Sequence, residues 1–325
     1  MSAPATPRSH KPSPRLAGPG LLERLRRAMD SDIFYTFIRQ PIIVTSFVVT
    51  VLMVLAAIFA PLLAPQNPFN PSELRLMDAF APPGTEAISG EMVYWLGADG
   101  QGRDIFSAIL YGSRISLLVG VSAVLFAMIL GTGLGLYAGY RGGWPDAVIM
   151  RIVDVQLTFP SILVALLIFG VVSNVMPAGD RAQAALIVLI VSIGLSDWVH
   201  YARTVRGATM VEKTKEYVQA GHVIGLPART ILARHVLPNV MRPVLVIATI
   251  GLALAIIAEA TLSFLGVGMP PTQPSLGTLI RVGQDYMFSG EWWITFFPAL
   301  ALLALALSVN LLGDWLRDVL NPKLR

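Results

Sequence analysis

The chain has 325 residues, of which 54% are hydrophobic and 14% charged, against roughly 25% charged in an ordinary soluble domain. With a mean hydropathy of +0.66, this excludes a water-soluble two-domain enzyme and points to a helical bundle solvated by lipid. There are no cysteines, which excludes a disulfide framework, a thiol enzyme and a cysteine-ligated zinc site and leaves the redox compartment unread.

Residues 1–40 form an N-terminal tail. Residues 1–20 are rich in Pro, Ser and Ala and are expected to lack fixed structure. Leu21–Ile38 mixes Leu, Phe and Arg at helical spacing, which reads as an interfacial helix or as a solvated basic leader. The first apolar segment starts too late and is too long for a cleaved signal peptide. From residue 41 to 325 the chain reads as one transmembrane domain. A spanning helix needs about 20 mostly apolar residues, and six runs meet that need, at about 42–63, 115–138, 149–172, 184–200, 244–266 and 292–313. The fourth has the shortest uncharged core.

Lys and Arg set the orientation. Of the 24, 19 fall in residues 1–41, 139–151, 201–242 and the C-terminal tail, leaving Arg75, Arg103, Arg114, Arg181 and Arg281 on the other side. By the excess of positive charge on cytoplasmic loops, both termini are expected in the cytoplasm. The basic pI of about 9.5 is thus a topological signal, and nucleic acid is not an expected partner.

The external loop 64–114 is long and ends in Trp95-Leu96-Gly97-Ala98-Asp99-Gly100-Gln101-Gly102-Arg103-Asp104. No strand precedes its Gly-x-x-Gly-x-Gly spacing, so it is not a nucleotide fingerprint. It reads either as a turn-rich surface loop or as a cap over the external mouth that meets a partner. Gly131, Gly133, Gly135 and Gly139 lie inside the second span, where small residues let helices approach closely.

Acids inside spans are costly, at roughly 2.5–3.5 kcal/mol each at the helix centre. Asp154 is expected to pair with Arg151 at i,i+3. Asp197, near His200, reads as solvated or structural. Glu259 has no basic residue within a helical turn and must face the bundle interior, either in an interface or structural bond or lining a pathway, with Ser263 one turn on along the same face.

The internal loop 201–242 reads as two short helices. The first covers 211–224 and stops at Gly225, a C′ glycine. The second opens at Leu226-Pro227 and ends near Leu237-Pro238-Asn239. Gly221 sits mid-helix after Ala220, at a cost of about 1 kcal/mol relative to Ala, so close approach to that face is expected. The loop is a docking element for a soluble partner or a solvated connector. The four lysines, Lys11, Lys213, Lys215 and Lys323, never follow a glycine, so there is no phosphate-binding loop of the Walker type. His222 and His235 lack a carboxylate cluster, and no metal site is expected.

Tyr217-Val218-Gln219-Ala220-Gly221-His222-Val223-Ile224-Gly225, followed by Arg234-His235-Val236-Leu237-Pro238-Asn239, resembles the EAA loop of ABC importer permeases, the element that sits in a groove of the ATPase subunit. Its three-residue core is Gln-Ala-Gly here and not Glu-Ala-Ala, while Glu216 keeps a carboxylate three residues upstream. From about residue 40 the chain is similar to the second permease subunit of oligopeptide, dipeptide and nickel importers. Further support comes from Trp95-Leu96-Gly97 to Asp104, Tyr111-Gly112-Ser113-Arg114-Ile115-Ser116-Leu117, Arg151-Ile152-Val153-Asp154, Phe159-Pro160-Ser161, Glu259-Ala260-Thr261-Leu262-Ser263-Phe264-Leu265-Gly266 and Asn310-Leu311-Leu312-Gly313-Asp314.

The resemblance implies an all-α membrane protein of the type I ABC importer permease fold, with six transmembrane helices, multi-pass in a bacterial plasma (inner) membrane. It implies ATPase coupling through Glu216, Tyr217, Gln219, Ala220, Gly221, Gly225, Leu226, Pro227, His235, Pro238 and Asn239. A second homologous permease, two ATPase subunits carrying ATP and Mg, and an external substrate-binding protein are the implied partners beside membrane lipid. The chain itself is expected to be no enzyme and to bind no cofactor. Di- or oligopeptides are the favoured substrates, with nickel, glutathione or another small polar solute compatible, carried by alternating access. Glu259 and Ser263 are the pathway candidates. The rival, an ion-gradient-driven secondary transporter using Glu259 and Asp197, is disfavoured because no repeat relates the two halves. An intramembrane hydrolase would need a Ser–His or paired-carboxylate site at depth, and every His lies at a membrane edge or in a loop.

Overall fold

The computed structural model describes residues 32–175 and 181–320. The expectations for residues 1–20 and for most of Leu21–Ile38 fall outside these residues. The chain divides into two units, Met1–Val44 and Thr45–Arg325. In the first, helix α1 (Asp32–Ile38) is followed by Arg39, whose guanidinium lies 4.3 Å over the centroid of the Tyr35 ring. Helix α2 (Pro41–Ile58) runs from the first unit into the second.

In the second unit, α3 (Ala60–Leu63) leads into a loop with a small antiparallel hairpin, β1 (Thr85–Glu86) and β2 (Val93–Tyr94), in which Thr85 faces Tyr94. There follow α4 (Ile105–Arg141), α5 (Gly143–Leu157), α6 (Ser161–Val175) and α7 (Arg181–Glu212). Next come α8 (Glu216–Val223) and α9 (Ala228–Ile231). A π-helical turn, Leu232–Val236, then joins α9 to α10 (Leu237–Phe264). The last helices are α11 (Leu276–Gln284) and α12 (Trp293–Leu320). Among the described residues five helices are long and apolar enough to cross a membrane, or six if one bent pair counts as a span.

That pair is α5 and α6. The single run expected at 149–172 is broken, and the two helices meet at 103°. Pro160 is the cause. It has no N–H to donate, and its ring pushes Phe159 out of the helical region. The chain closes α5 with short turns from Thr158 N to Val155 O at 3.2 Å and Phe159 N to Gln156 O at 3.1 Å. Gln156 pins the break to α7, donating to the carbonyls of Leu195 and Ser196 at 2.8 and 3.0 Å and accepting from Trp198 Nε1 at 3.1 Å.

Helix α4 begins ten residues before the expected 115. Asp104 caps it, accepting from Ser107 N at 2.8 Å, as an N-cap carboxylate does for an orphan amide. At 37 residues and 1.5 Å per residue the helix is about 55 Å long, well beyond a hydrocarbon core of about 30 Å.

Helices α4 and α7 run against each other along a glycine stripe. A Cβ built at Gly131, Gly135 or Gly139 would lie 2.4, 2.5 or 2.7 Å from the carbonyl oxygens of Trp198, Ala202 and Arg206, whereas Gly133 meets nothing. Three glycines at i, i+4, i+8 thus face three residues at the same spacing, and the two backbones touch. This contact carries α7 past the expected end of its span at residue 200. Tyr201, Ala202, Val205 and Thr209 are buried, while Arg206 is held by Asp146 Oδ2 at 2.7 Å and Arg203 pairs with Asp154. Residues 201–212, expected in a loop, are therefore helix. The expected Asp154–Arg151 pair gives way to one between α5 and α7.

The loop between α3 and α4, expected on the external side, is closed on itself. Gln66 is buried, donates to Glu73 O at 2.6 Å and accepts from Asp104 N at 2.7 Å. Tyr94 Oη donates to Asp78 Oδ2 at 3.1 Å, and burial ahead of the Asp78 bond pushes its pKa up. Asp99 accepts from the amides of Gln101 and Arg103, and burial raises its pKa. Gly102 has φ +69, with the Arg75 carbonyl oxygen 1.9 Å from where a Cβ would stand, so only glycine fits. Trp293 Nε1 donates to Ala98 O at 3.2 Å and ties the loop to the start of α12.

Candidate functional site

The hairpin from Glu216 to Asn239 is built on a helix stop. Gly225 has φ +78. Its N–H reaches the His222 carbonyl at 3.0 Å, and the Leu226 N–H reaches Gly221 O at 3.0 Å. These two bonds make a Schellman motif, which needs a left-handed residue at C′. Pro227 then precedes α9, as read from the sequence. The second helix does not end at Pro238, however. Pro238 follows directly on the π-helical turn Leu232–Val236, and the chain is helical from Ala228 to Phe264.

Val218, Ile231, Val236 and Val240 are buried in one apolar cluster with Val153, Trp198, Ala202 and Val205. The hairpin is thereby seated on the ends of α5, α7 and α10. Tyr217 Oη donates to Glu212 and accepts from Asn239 Nδ2 at 2.8 Å, and Asn239 also donates to the His235 carbonyl at 3.0 Å. Lys213 Nζ donates to Gly139 O at 2.7 Å, and His222 Nε2 lies 3.4 Å from Tyr140 Oη.

The close approach expected at Ala220-Gly221 is internal. Gly221 is buried, and a Cβ there would stand 3.5 Å from Ile231. What the hairpin offers outward is its tip, where Val223 is 87% and Ile224 73% exposed. Glu216, Gln219 and Ala220 are exposed beside it. Two bare aliphatic side chains on so firmly seated a turn form a protruding apolar knob, of the kind an exposed interaction site presents.

Of the two readings the sequence leaves open for Glu259 and Ser263, the geometry describes a bond between helices. Glu259 is fully buried. It accepts from Ser116 Oγ of α4 at 2.7 Å and from Ser263 Oγ at 2.7 Å. Ser263 Oγ also accepts weakly from Met269 N at 3.4 Å. Both residues are inside the subunit, tying α4 to α10, and neither lines the large cavity. A carboxylate buried with two hydroxyl donors is a structural bond.

The large cavity has a volume of about 1060 Å³ and is walled by α7 and α10. Ser196, Asp197, His200, Tyr201, Arg203 and Thr204 of α7 face Ile247, Gly251, Leu254, Ala258 and Thr261 of α10, with Arg317 of α12 and Ser161 of α6 at its margin. Asp197 is thus on a cavity wall, and Tyr201, which composition alone does not mark out, is beside it. The signal that could have found both is the i, i+3, i+4, i+7 spacing of Asp197, His200, Tyr201 and Thr204, one polar stripe in an apolar helix.

Five or six helices long and apolar enough to cross a membrane among the described residues, with a seated hairpin and a broad cavity, describe a polytopic membrane protein. Residues 131–325 match the family of binding-protein-dependent transport system inner membrane components, and residues 31–83 match the N-terminal TM domain of oligopeptide transport permease C. The chain is 38% identical over 274 residues to the dipeptide transport system permease protein DppC of Haemophilus influenzae, covering 84% of this chain and 88% of that one. It is 38% identical over 289 residues to the glutathione transport system permease protein GsiD of Pectobacterium atrosepticum, covering 89% of each. The MetNI methionine ABC transporter, in an inward-facing conformation, shares the fold with a TM-score of 0.50 at 20% identity, over 67% of this chain and 98% of that one.

The chain therefore belongs to the family of binding-protein-dependent transport system inner membrane components. It is a permease subunit of an ABC importer with the type I fold, multi-pass in a bacterial inner membrane.

Proposed function

We propose that this permease is one half of a heterodimeric pathway for di- or oligopeptides. Two ATPase subunits drive it and an external binding protein loads it. The observation that carries this reading is the hairpin. Its buried side is fixed to three long helices through Val218, Ile231 and Val236, and its exposed tip carries Val223 and Ile224. A lever needs both a rigid root and a free end.

In this reading ATP and Mg are held by the partner subunits. Closure of the ATPase pair moves the hairpins, and the spans change between inward- and outward-open. The drive is differential binding: the ATPases must hold one state of the hairpin more tightly than the other, or nothing shifts. The bias of 19 among 24 Lys and Arg residues to one side supports cytoplasmic termini and a cytoplasmic hairpin. The peptide class is supported by a relative named as a dipeptide permease. A relative named for glutathione supports a small peptide-like solute equally well.

The experiment is uptake of radiolabelled alanyl-alanine by proteoliposomes holding the whole complex with its binding protein. ATP inside the vesicles is expected to drive uptake, and Ile224→Asp is expected to abolish it with the permease pair intact. Uptake undiminished in Ile224→Asp contradicts the lever. No dipeptide uptake by the unmodified complex contradicts the peptide reading.

A further inference from the structure

The cavity between α7 and α10 contains a feature that its size alone does not explain. Tyr201 is only 2% exposed, and its hydroxyl has no hydrogen-bond partner among the described residues. The residue lines the cavity. Buried hydroxyls are nearly always paired, so an unpaired one at a cavity wall marks a place for a partner that comes and goes. The hydroxyl is seated against the opposite helix: a Cβ at Gly251 would stand 2.9 Å from Tyr201 Oη. Any other residue at 251 would press on the hydroxyl.

Asp197 lies one helical turn away on α7 and on the same cavity wall. It is the one carboxylate among the residues that line this cavity. The cavity's other charged or titratable groups are His200, Arg203 and Arg317. Arg203 is paired with Asp154, His200 is exposed, and Arg317 comes from α12.

A carboxylate beside a phenol oxygen forms a site for a group with several N–H donors and a positive charge. A primary ammonium supplies both, and its hydrogen bonds to an ionised acceptor are the strong kind. Arg317 on the cavity lining suits an opposite charge at the other end of the solute. The volume of about 1060 Å³ is at the upper limit of the roughly 300–1,000 Å³ typical of small-molecule sites.

We infer that the cavity between α7 and α10 is a solute-binding site of the permease itself, in which Asp197 and Tyr201 take the free amino terminus of the transported peptide. The inference rests on the peptide reading above and deepens it. It assigns part of the selectivity to this subunit, so that the external binding protein is not the sole filter.

The test omits the binding protein, which separates it from the uptake experiment. The purified permease–ATPase complex is titrated calorimetrically with alanyl-alanine and with its N-acetyl form. The unmodified complex is expected to bind the free-amine dipeptide at least tenfold more tightly than the acetylated one. Asp197→Asn is expected to remove that preference, weakening only the free-amine probe. Tyr201→Phe, which keeps the ring and loses only the hydroxyl, is expected to weaken the free-amine probe severalfold and guards against failed assembly in the first variant. Equal binding of the two dipeptides by the unmodified complex, no binding of either, or an unchanged preference in both variants overturns the inference. ATP-driven dipeptide uptake with the binding protein present would still stand in any of these cases.

Discussion

Glu259 accepts a 2.7 Å hydrogen bond from Ser116, a residue 143 positions earlier in the chain. The bond fastens α4 to α10, and Ser263 holds the second carboxylate oxygen. Removing the carboxylate leaves two buried hydroxyls without an acceptor, at about 1–3 kcal/mol each. Glu259→Ala is expected to lower the melting temperature of the detergent-solubilised complex by several degrees. Glu259→Gln, which keeps one acceptor oxygen, is expected to lose less. Equal melting temperatures for Glu259→Ala and the unmodified complex would remove this bond from the account.

The glycine stripe admits no bulk. At Gly135 a Cβ would already be 2.5 Å from the Ala202 carbonyl and 2.9 Å from Val205. Gly135→Leu is expected to force α4 and α7 apart, at a cost above the 1–3 kcal/mol usual for overpacking. Gly133→Leu, which meets nothing, is expected to be tolerated. Detergent-stable yield of the two variants checks this: the position-135 variant should aggregate, and similar yields would contradict the contact.

The hairpin's stop depends on Gly225. A side chain there, at φ +78, costs roughly 1–2 kcal/mol. Gly225→Val is expected to loosen α8, so that limited proteolysis cuts between residues 213 and 231 faster than in the unmodified chain. Cleavage at the same rate would show that the Schellman bonds do not govern the turn.

The loop between α3 and α4 is anchored through Asp104, which caps α4 by accepting from Ser107 while its N–H bonds Gln66. Loss of such a cap costs typically about 1 kcal/mol. Asp104→Ala is expected to expose the loop to protease added from the external side, and Gln66→Ala is expected to do the same. Full resistance in both would place the anchor elsewhere, for example at Trp293 and Ala98.

What the sequence made legible were features whose partners lie within a few turns. Gly225 announced its own left-handed turn, and the glycines at 131, 135 and 139 announced a close helix contact without saying with what. Partners far along the chain were not legible. Spacing pairs Asp154 with Arg151, whereas it meets Arg203 on another helix, and nothing near Glu259 points to Ser116. Helix α7 was cut short because Arg203 and Arg206 end its apolar run, although both bond to acids of α5 and let the helix continue. Helix α11 is nine residues long and too mixed in composition to carry the signal of a span. It is fixed by packing, with Gly277 close on the Ala260 backbone and Ser275 capping it from Thr278 N at 3.3 Å. The tip residues Val223 and Ile224 lay in a motif read for its glycines. Their importance comes from exposure, which spacing does not report.

The central claim is that this subunit has no energy source of its own and moves when partners push its hairpin. The direct measurement is dipeptide uptake by one vesicle preparation energised in turn by internal ATP, by a proton gradient and by a sodium gradient. The assembled complex should respond to ATP alone, and this chain reconstituted without its ATPases should respond to none of the three. Gradient-driven uptake by the isolated chain would contradict the claim.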